Sequence, residues 1–215
     1  MIDKLLELIG SYYPLNEQDV GEYKSFDLNG MNINCGRYKC DLGSVAYIKG
    51  GNDMMHLDTL IISPINKDTY LYSYDRVKAF GSDNILTELY DVLINKGDND
   101  LSDKLNTLLE DYKDIPNVEH PSNWYDSILL DVSINRKGSV ELSERFDTLA
   151  YDYLKQYLDN SKGLKETDST KKKELIKQYR DNLLSNGGPS TDMFIKSKGK
   201  EFCEGLFNKV MFNAD

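Results

Sequence analysis

Between Phe26 and Val77 the chain holds four β-leaning runs: Met31–Asn34, Ser44–Lys49, Leu57–Ser63 and Tyr70–Val77. They are parted by Asn-Gly, Leu-Gly, Gly-Gly-Asn and Pro-Ile-Asn-Lys-Asp breaks. A parallel crossover needs a dozen or more residues, so breaks this short fit hairpins between antiparallel strands. That spacing sets the fold class before any composition is counted.

The last run, "TYLYSYDRV", carries an ionisable group where a half-buried strand should be apolar. Period-two alternation puts Tyr70, Tyr72 and Tyr74 on one side, and Leu71, Ser73, Asp75 and Val77 on the other. A carboxyl group on such a face is either paired with a neighbouring cation or kept for chemistry.

Helical spacing surrounds the strands. Ile2, Leu5, Leu6 and Ile9 predict a helix over residues 3–12. Residues 82–94 fit either a helix or a strand. Leu101, Leu105, Leu108 and Tyr112 form a clearer helix, and alternation of Ile128, Leu130, Val132 and Ile134 predicts a strand over 127–135. Everything later reads as helix, broken at Asn186-Gly187-Gly188-Pro189. Strands in the middle and helices at the ends indicate an α+β layered fold in one domain spanning residues 1–215.

A chain of 215 residues with 40% hydrophobic content and 15 tyrosines is long enough to bury a large core. Three cysteines in no C-x-x-C spacing read as reduced thiols. His56 and His120 stand in no metal-ligand spacing, so no metal is expected. No apolar stretch approaches the roughly 18 residues of a membrane span, and a soluble, cytoplasmic protein is expected. Net charge −10 opposes nucleic-acid binding. That charge is uneven: residues 162–215 carry net +3 and the rest −13. Lys171, Lys172 and Lys173 head the basic part, either as a solvated helix start or as a docking patch for an acidic partner.

Dinucleotide, Walker, nucleophile-elbow and H-E-x-x-H motifs are all missing. The stretch "HLDTLIISPINKDTYLYSYDRVKAFGSDNILTELYDVL" resembles the central strands of the ferredoxin-dependent bilin reductases. There a strand ends in a proline, here Pro64, and the next has the form aromatic–x–x–Asp, here Tyr72–Asp75. "WYDSILLDVSINRKGSVELSERF" is similar to that family's Trp-led strand. "YRDNLLSNGGPSTDMFIKSKGKEFCEGLFNKVMF" is similar to its last two helices. In outline the likeness runs from Met31 to Phe212.

The resemblance implies a three-layer α/β/α sandwich around a central antiparallel sheet. It implies a linear tetrapyrrole of the biliverdin type as substrate, lying between the sheet and the C-terminal helices. It implies no bound cofactor, with electrons from reduced ferredoxin or flavodoxin docking at Lys171–Lys173. Asp75 falls on the family's catalytic aspartate, a proton donor whose burial keeps it protonated near neutrality. The family histidine's position is Thr59 here, and His56, three residues earlier, is a second catalytic candidate if a bulge restores its parity. Arg136 falls near the arginine that pairs with a bilin propionate. Asn186 and Ser190 stand where an Asn-Asp-Lys-Thr-like run contacts propionate, and the lysine is missing. A non-catalytic tetrapyrrole-binding protein on the same scaffold, and an interaction module without a ligand, remain as alternatives.

Overall fold

The computed structural model describes residues 1–96, 100–119 and 122–213. One eight-stranded antiparallel sheet forms its centre. Strands β1 (Asn16–Gln18) and β2 (Ser25–Leu28) share one edge of β3 (Met31–Cys40). Next in order come β4 (Gly43–Gly51), β5 (Met55–Ser63), β6 (Leu71–Ala79), β7 (Ser82–Tyr90) and β8 (Ile134–Ser139). Each strand from β3 to β7 pairs with the next in sequence, as the short breaks require.

Two of the hairpins turn on residues with positive φ. Asn29-Gly30 links Leu28 to Met31, and Phe80-Gly81 links Ala79 to Ser82. Positive φ at both central residues is the mirror-image turn whose twist matches the flanking strands. Asn and Gly adopt it readily, whereas Phe80 holds it as a bulky, 88% exposed side chain.

Helices cover both faces. On the first lie α1 (Ile2–Tyr12), α2 (Leu101–Glu110) and α3 (Ser143–Lys162), packed on Val45, Leu60, Ile62, Tyr72, Tyr74, Ile85 and Leu89. Tyr153 and Tyr157 of α3 reach Tyr72, with ring centroids 6.3 and 5.3 Å apart. The Tyr157 hydroxyl donates to the Tyr70 carbonyl at 2.8 Å. On the second lie α4 (Ser169–Asn186), α5 (Pro189–Lys198) and α6 (Lys200–Leu206), which runs on into a π-helical turn through Met211. Their Ile176, Phe194, Leu206, Phe207 and Val210 pack on Ile33, Cys35, Ala46, Ile48, Leu57 and Ile61. The layered α+β sandwich expected from the sequence is the architecture observed.

Local expectations were met unevenly. Residues 82–94, readable either way, supply strand β7. The strand expected over 127–135 is displaced: residues 124–128 are turns, and regular pairing begins at Ile134. Ile128 and Leu129 join the second-face core, while Leu130 and Val132 join the first. The alternation therefore records a segment wrapping around the sheet's end. Among the described residues, no helix is long and apolar enough to cross a membrane.

The basic run at the start of α4 is not a continuous surface patch. Lys171 is exposed and Lys173 half-buried, but Lys172 is fully buried. Its ammonium donates to the carbonyls of Thr69 and Val92, each at 2.7 Å, and to Asp68 at 3.3 Å. A helix places every third or fourth residue inward, and here that position falls within the lysine run. Burial pushes the Lys172 pKa down to about 8, against the attraction of Asp68. Lys172→Met should lose about 2–4 kcal/mol, since two buried carbonyls lose their donor. The native pKa lies below the unfolded value, so the native state holds fewer protons between them. Wild-type stability should therefore rise relative to Lys172→Met between about pH 8 and 10.5. Urea titrations at pH 7.5 and 9.5 measure both effects; a pH-independent difference would refute the depressed pKa.

Candidate functional site

One row of paired residues crosses the second face from β3 to β8: Cys35, Ile48, Thr59, Asp75, Leu86 and Asn135. Cys35 and Ile48 are buried beneath the C-terminal helices, at 3% and 2% exposure. Thr59, Asp75, Leu86 and Asn135 are half-exposed, as are neighbouring Val77, Asn84 and Glu88. The intervening residues that face the other way, Arg76, Asp83, Ile85, Thr87 and Leu89, are all buried. Helical cover on this face thus ends along β5, where Leu57 and Ile61 are buried and Thr59 between them is not. At about 4.8 Å per strand, the uncovered floor from β5 to β8 is about 14 Å wide.

Aromatic side chains rim one end of this floor. The Tyr90 ring lies tilted against Tyr179 of α4 at 4.7 Å and edge-on to Tyr125 at 5.6 Å, and Trp124 lies 5.5 Å from Tyr179. The Trp124 indole donates to the Gly187 carbonyl at 3.2 Å, tying the 122–133 segment to the end of α4. Beside the rim, a cavity of about 340 Å³ is lined by Glu88, Asp126, Asp131, Ser133 and Asn135 among others.

Asp75 lies on this floor between β5 and β7. Thr59 Oγ1 donates to its Oδ1 at 2.5 Å, and Ser73 Oγ donates to its Oδ2 at 3.4 Å. Burial raises its pKa above the ordinary carboxyl value, and those two hydroxyl donors restrain the rise. The carboxyl group is thus met by hydroxyl donors and not by a cation, and the ion pairs formed by its sequence neighbour lie on the other face. Arg76 binds Asp83 at 2.6 Å and also contacts Asp147 there.

The remaining candidates divide by strand parity. Thr59 is in direct contact with Asp75. His56 is on the opposite face, because β5–β6 pairing runs without a bulge from Met55 to Ile62. Its Nε2 lies 3.1 Å from Asp58 and its side chain is 52% exposed, so it cannot act beside Asp75. Arg136 also points to the first face, where its guanidinium donates to the Tyr112 carbonyl and is 95% buried. A propionate over Asp75 is out of its reach. Asn186 is exposed at the end of α4, its amide bonded back to the Asn182 carbonyl at 2.9 Å. Ser190 opens α5, and its side chain lies outside the described set, as does His120.

Glu88, Tyr90, Trp124, Tyr125 and Tyr179 were missed. The available signal was alternation of Asn84, Leu86 and Glu88 against Ile85 and Leu89, which only a strand reading of 82–94 uses. A second feature was also unforeseen: Lys173, Lys177, Arg180 and Lys209 line a groove of about 410 Å³ between α4 and the C-terminal turn. Among the described residues, no cluster of His, Cys, Asp and Glu is arranged to hold a metal.

A raised native pKa means the folded state holds more protons than the unfolded one between the two values. Stability is then lost as pH rises through that window. Asp75→Asn, which removes the penalised charge, should raise Tm at pH 7.5 by about 2–4 °C, equivalent to about 1 kcal/mol in a chain of this length. The gain should vanish below about pH 4, where both states are protonated. Calorimetry at pH 4 and 7.5 decides it, and an Asp75→Asn variant less stable at pH 7.5 would contradict the raised pKa.

No family model matches the chain, and no curated protein matches it by sequence. Among solved structures it is similar to phytochromobilin synthase from tomato in complex with biliverdin, with a TM-score of 0.84. The two share 14% identity over 99% of this chain and 82% of that one. At that identity the likeness is one of fold: this chain is built on the architecture of a protein crystallised with a linear tetrapyrrole.

Proposed function

We propose that the chain binds a linear tetrapyrrole of the biliverdin class over the uncovered floor and reduces it, with Asp75 as proton donor. One observation carries this reading. A carboxyl group held up in pKa by burial sits between β5 and β7 on the half-exposed part of the second face, held by two hydroxyl donors. The shared fold with a biliverdin-bound protein supports the class of ligand.

A flat conjugated pigment suits this surface. Leu86 and Val77 offer apolar contact, the tyrosine rim offers ring faces, and Thr59 and Asn135 offer hydrogen bonds. Once seated, the pigment itself supplies the roof that the helices do not, and excludes water from Asp75. Reducing one double bond takes two electrons and two protons. Each electron makes the pigment more basic, and the protonated carboxyl of Asp75 gives its O–H proton to it while Thr59 fixes the carboxyl's orientation.

The electrons come from an external one-electron carrier, ferredoxin or flavodoxin, and the chain itself holds no cofactor. Such a carrier is acidic. The groove of Lys173, Lys177, Arg180 and Lys209 offers complementary charge, replacing the Lys171–Lys173 patch that the burial of Lys172 removes. A non-catalytic pigment binder is favoured by one feature: Thr59, not an imidazole, is the acid's strand neighbour.

Mixing the protein with biliverdin should red-shift and broaden the pigment bands, and reduced ferredoxin should then bleach them. Asp75→Asn should bind biliverdin alike and turn over roughly 10²–10⁴-fold more slowly. Binding without bleaching would select the non-catalytic binder. Unchanged bands on mixing, or an Asp75→Asn variant at the parent's rate, would overturn the proposal.

A further inference from the structure

A donor under a pigment must be recharged after it has given its proton, and a roof that keeps water out blocks the direct way back. We propose that Ser73 and Glu88 form a relay that returns protons to Asp75 from the cavity at the β7–β8 edge. This rests on the pigment reading above.

Three observations align along this line. Ser73, 7% exposed, donates to Asp75 Oδ2 and is therefore already in contact with the acid. Ser73 is also the direct strand partner of Glu88, on the same face. Side chains so paired start about 4.5–5.5 Å apart at Cβ, which puts the serine hydroxyl between the two carboxyl groups. Glu88 in turn lines the 340 Å³ cavity, whose Asp126, Asp131 and Val118 are exposed to solvent. The other contact of Asp75 leads nowhere: beyond Thr59 the row continues into Ile48 and Cys35. The Cys35 thiol is pushed up to about 12 by burial and moves no proton near neutrality.

The groups facing Glu88 are compatible with the relay. Tyr90 donates to its Oε2 at 2.8 Å, and Tyr179 is paired with the Tyr90 hydroxyl. Burial raises Tyr90, Tyr125 and Tyr179 alike, so all three stay neutral as Glu88 exchanges its proton. Asp126 and Asp131 share the cavity and are exposed to solvent. In the step itself the Glu88 carboxyl passes its proton to Ser73 Oγ, while the serine's own proton moves to the Asp75 carboxylate. Water in the cavity then reprotonates Glu88, and no electron moves.

A merely structural Glu88 would hold Tyr90, and glutamine does that equally well through its amide oxygen. Glutamine does not carry the proton. The experiment is a stopped-flow pH jump from 8 to 6 on the biliverdin complex, read by visible absorbance, in the parent, Glu88→Gln, Glu88→Asp and Ser73→Ala. Equilibrium biliverdin spectra should agree in all four. Proton uptake should slow at least tenfold in Glu88→Gln and Ser73→Ala and recover in Glu88→Asp. Uptake at the parent's rate in Glu88→Gln overturns the relay and leaves the pigment reading standing. Failure of the parent to shift the biliverdin bands overturns the pigment reading, and the relay with it.

Discussion

The whole arrangement depends on one constraint, the unbroken two-residue alternation of an antiparallel register. From Met55 through Tyr90 the pairings of β5 with β6 and β6 with β7 run without a bulge. A single extra residue would exchange the two faces beyond it. It would carry Asp75 in among the first-face tyrosines and turn Arg76 out onto the open floor. Adjacent residues of opposite charge are thus kept apart by geometry alone, although in solution nothing would stop them from pairing.

The two faces settle their buried charges differently. Arg76 is 2% exposed and Asp83 fully buried, and they are bonded through both Nε and Nη2, with Ser143 adding a hydroxyl to Asp83 at 2.6 Å. Burial opposes both charges, yet their mutual hydrogen bonds hold the arginine above and the carboxyl below its ordinary value. This network also binds the start of α3, through the Ser143 carbonyl, to the β6–β7 hairpin. Removing one partner would strand the other in the core, which typically costs 3–5 kcal/mol. Asp75 receives only hydroxyl donors. These orient it without neutralising it, and its pKa moves the opposite way from that of Asp83. Side chains eight residues apart in sequence, on strands that pair with each other, therefore reach opposite protonation behaviour.

Much of this was legible before any coordinates. Short breaks determined the hairpins, and parity put Asp75 and the tyrosines of "TYLYSYDRV" on opposite sides. Parity also set the condition on His56, which needed a bulge, and the register has none. Arg136 failed for a different reason. The strand expected over 127–135 begins instead at Ile134, so Arg136, just past its expected end, is a paired strand position facing inward. Lys172 failed because a run of like residues hides helical phase, and only tertiary packing shows which lysine points at the Thr69 and Val92 carbonyls. Glu88 was missed because Ile85, Leu86, Leu89, Val92 and Leu93 satisfy helical spacing as well as strand spacing. Two neighbouring strands, absent from any local window, decided the matter.

The open floor itself follows from where the helices of each face lie. On the first face α1, α3 and α2 stand abreast with α3 between the other two. Packed helices are 8–10 Å apart, so three cover about 25–30 Å. Seven strand positions at about 4.8 Å span a similar width, and that face is closed. On the second face α5, α6 and the π-helical turn pack over β2, β3 and β4, and α4 sits at the Tyr90 end. They bury Leu57 and Ile61 of β5 but leave Thr59, Asp75, Leu86 and Asn135 half-exposed. A sheet left half-covered loses the burial that its Leu86 and Val77 would otherwise provide, about 25 cal/mol for each Å² of apolar area. That deficit is tolerable because the first face and the Arg76–Asp83 network already hold these same strands in register. The site can stay open because its stability is supplied from the other side of the same four strands.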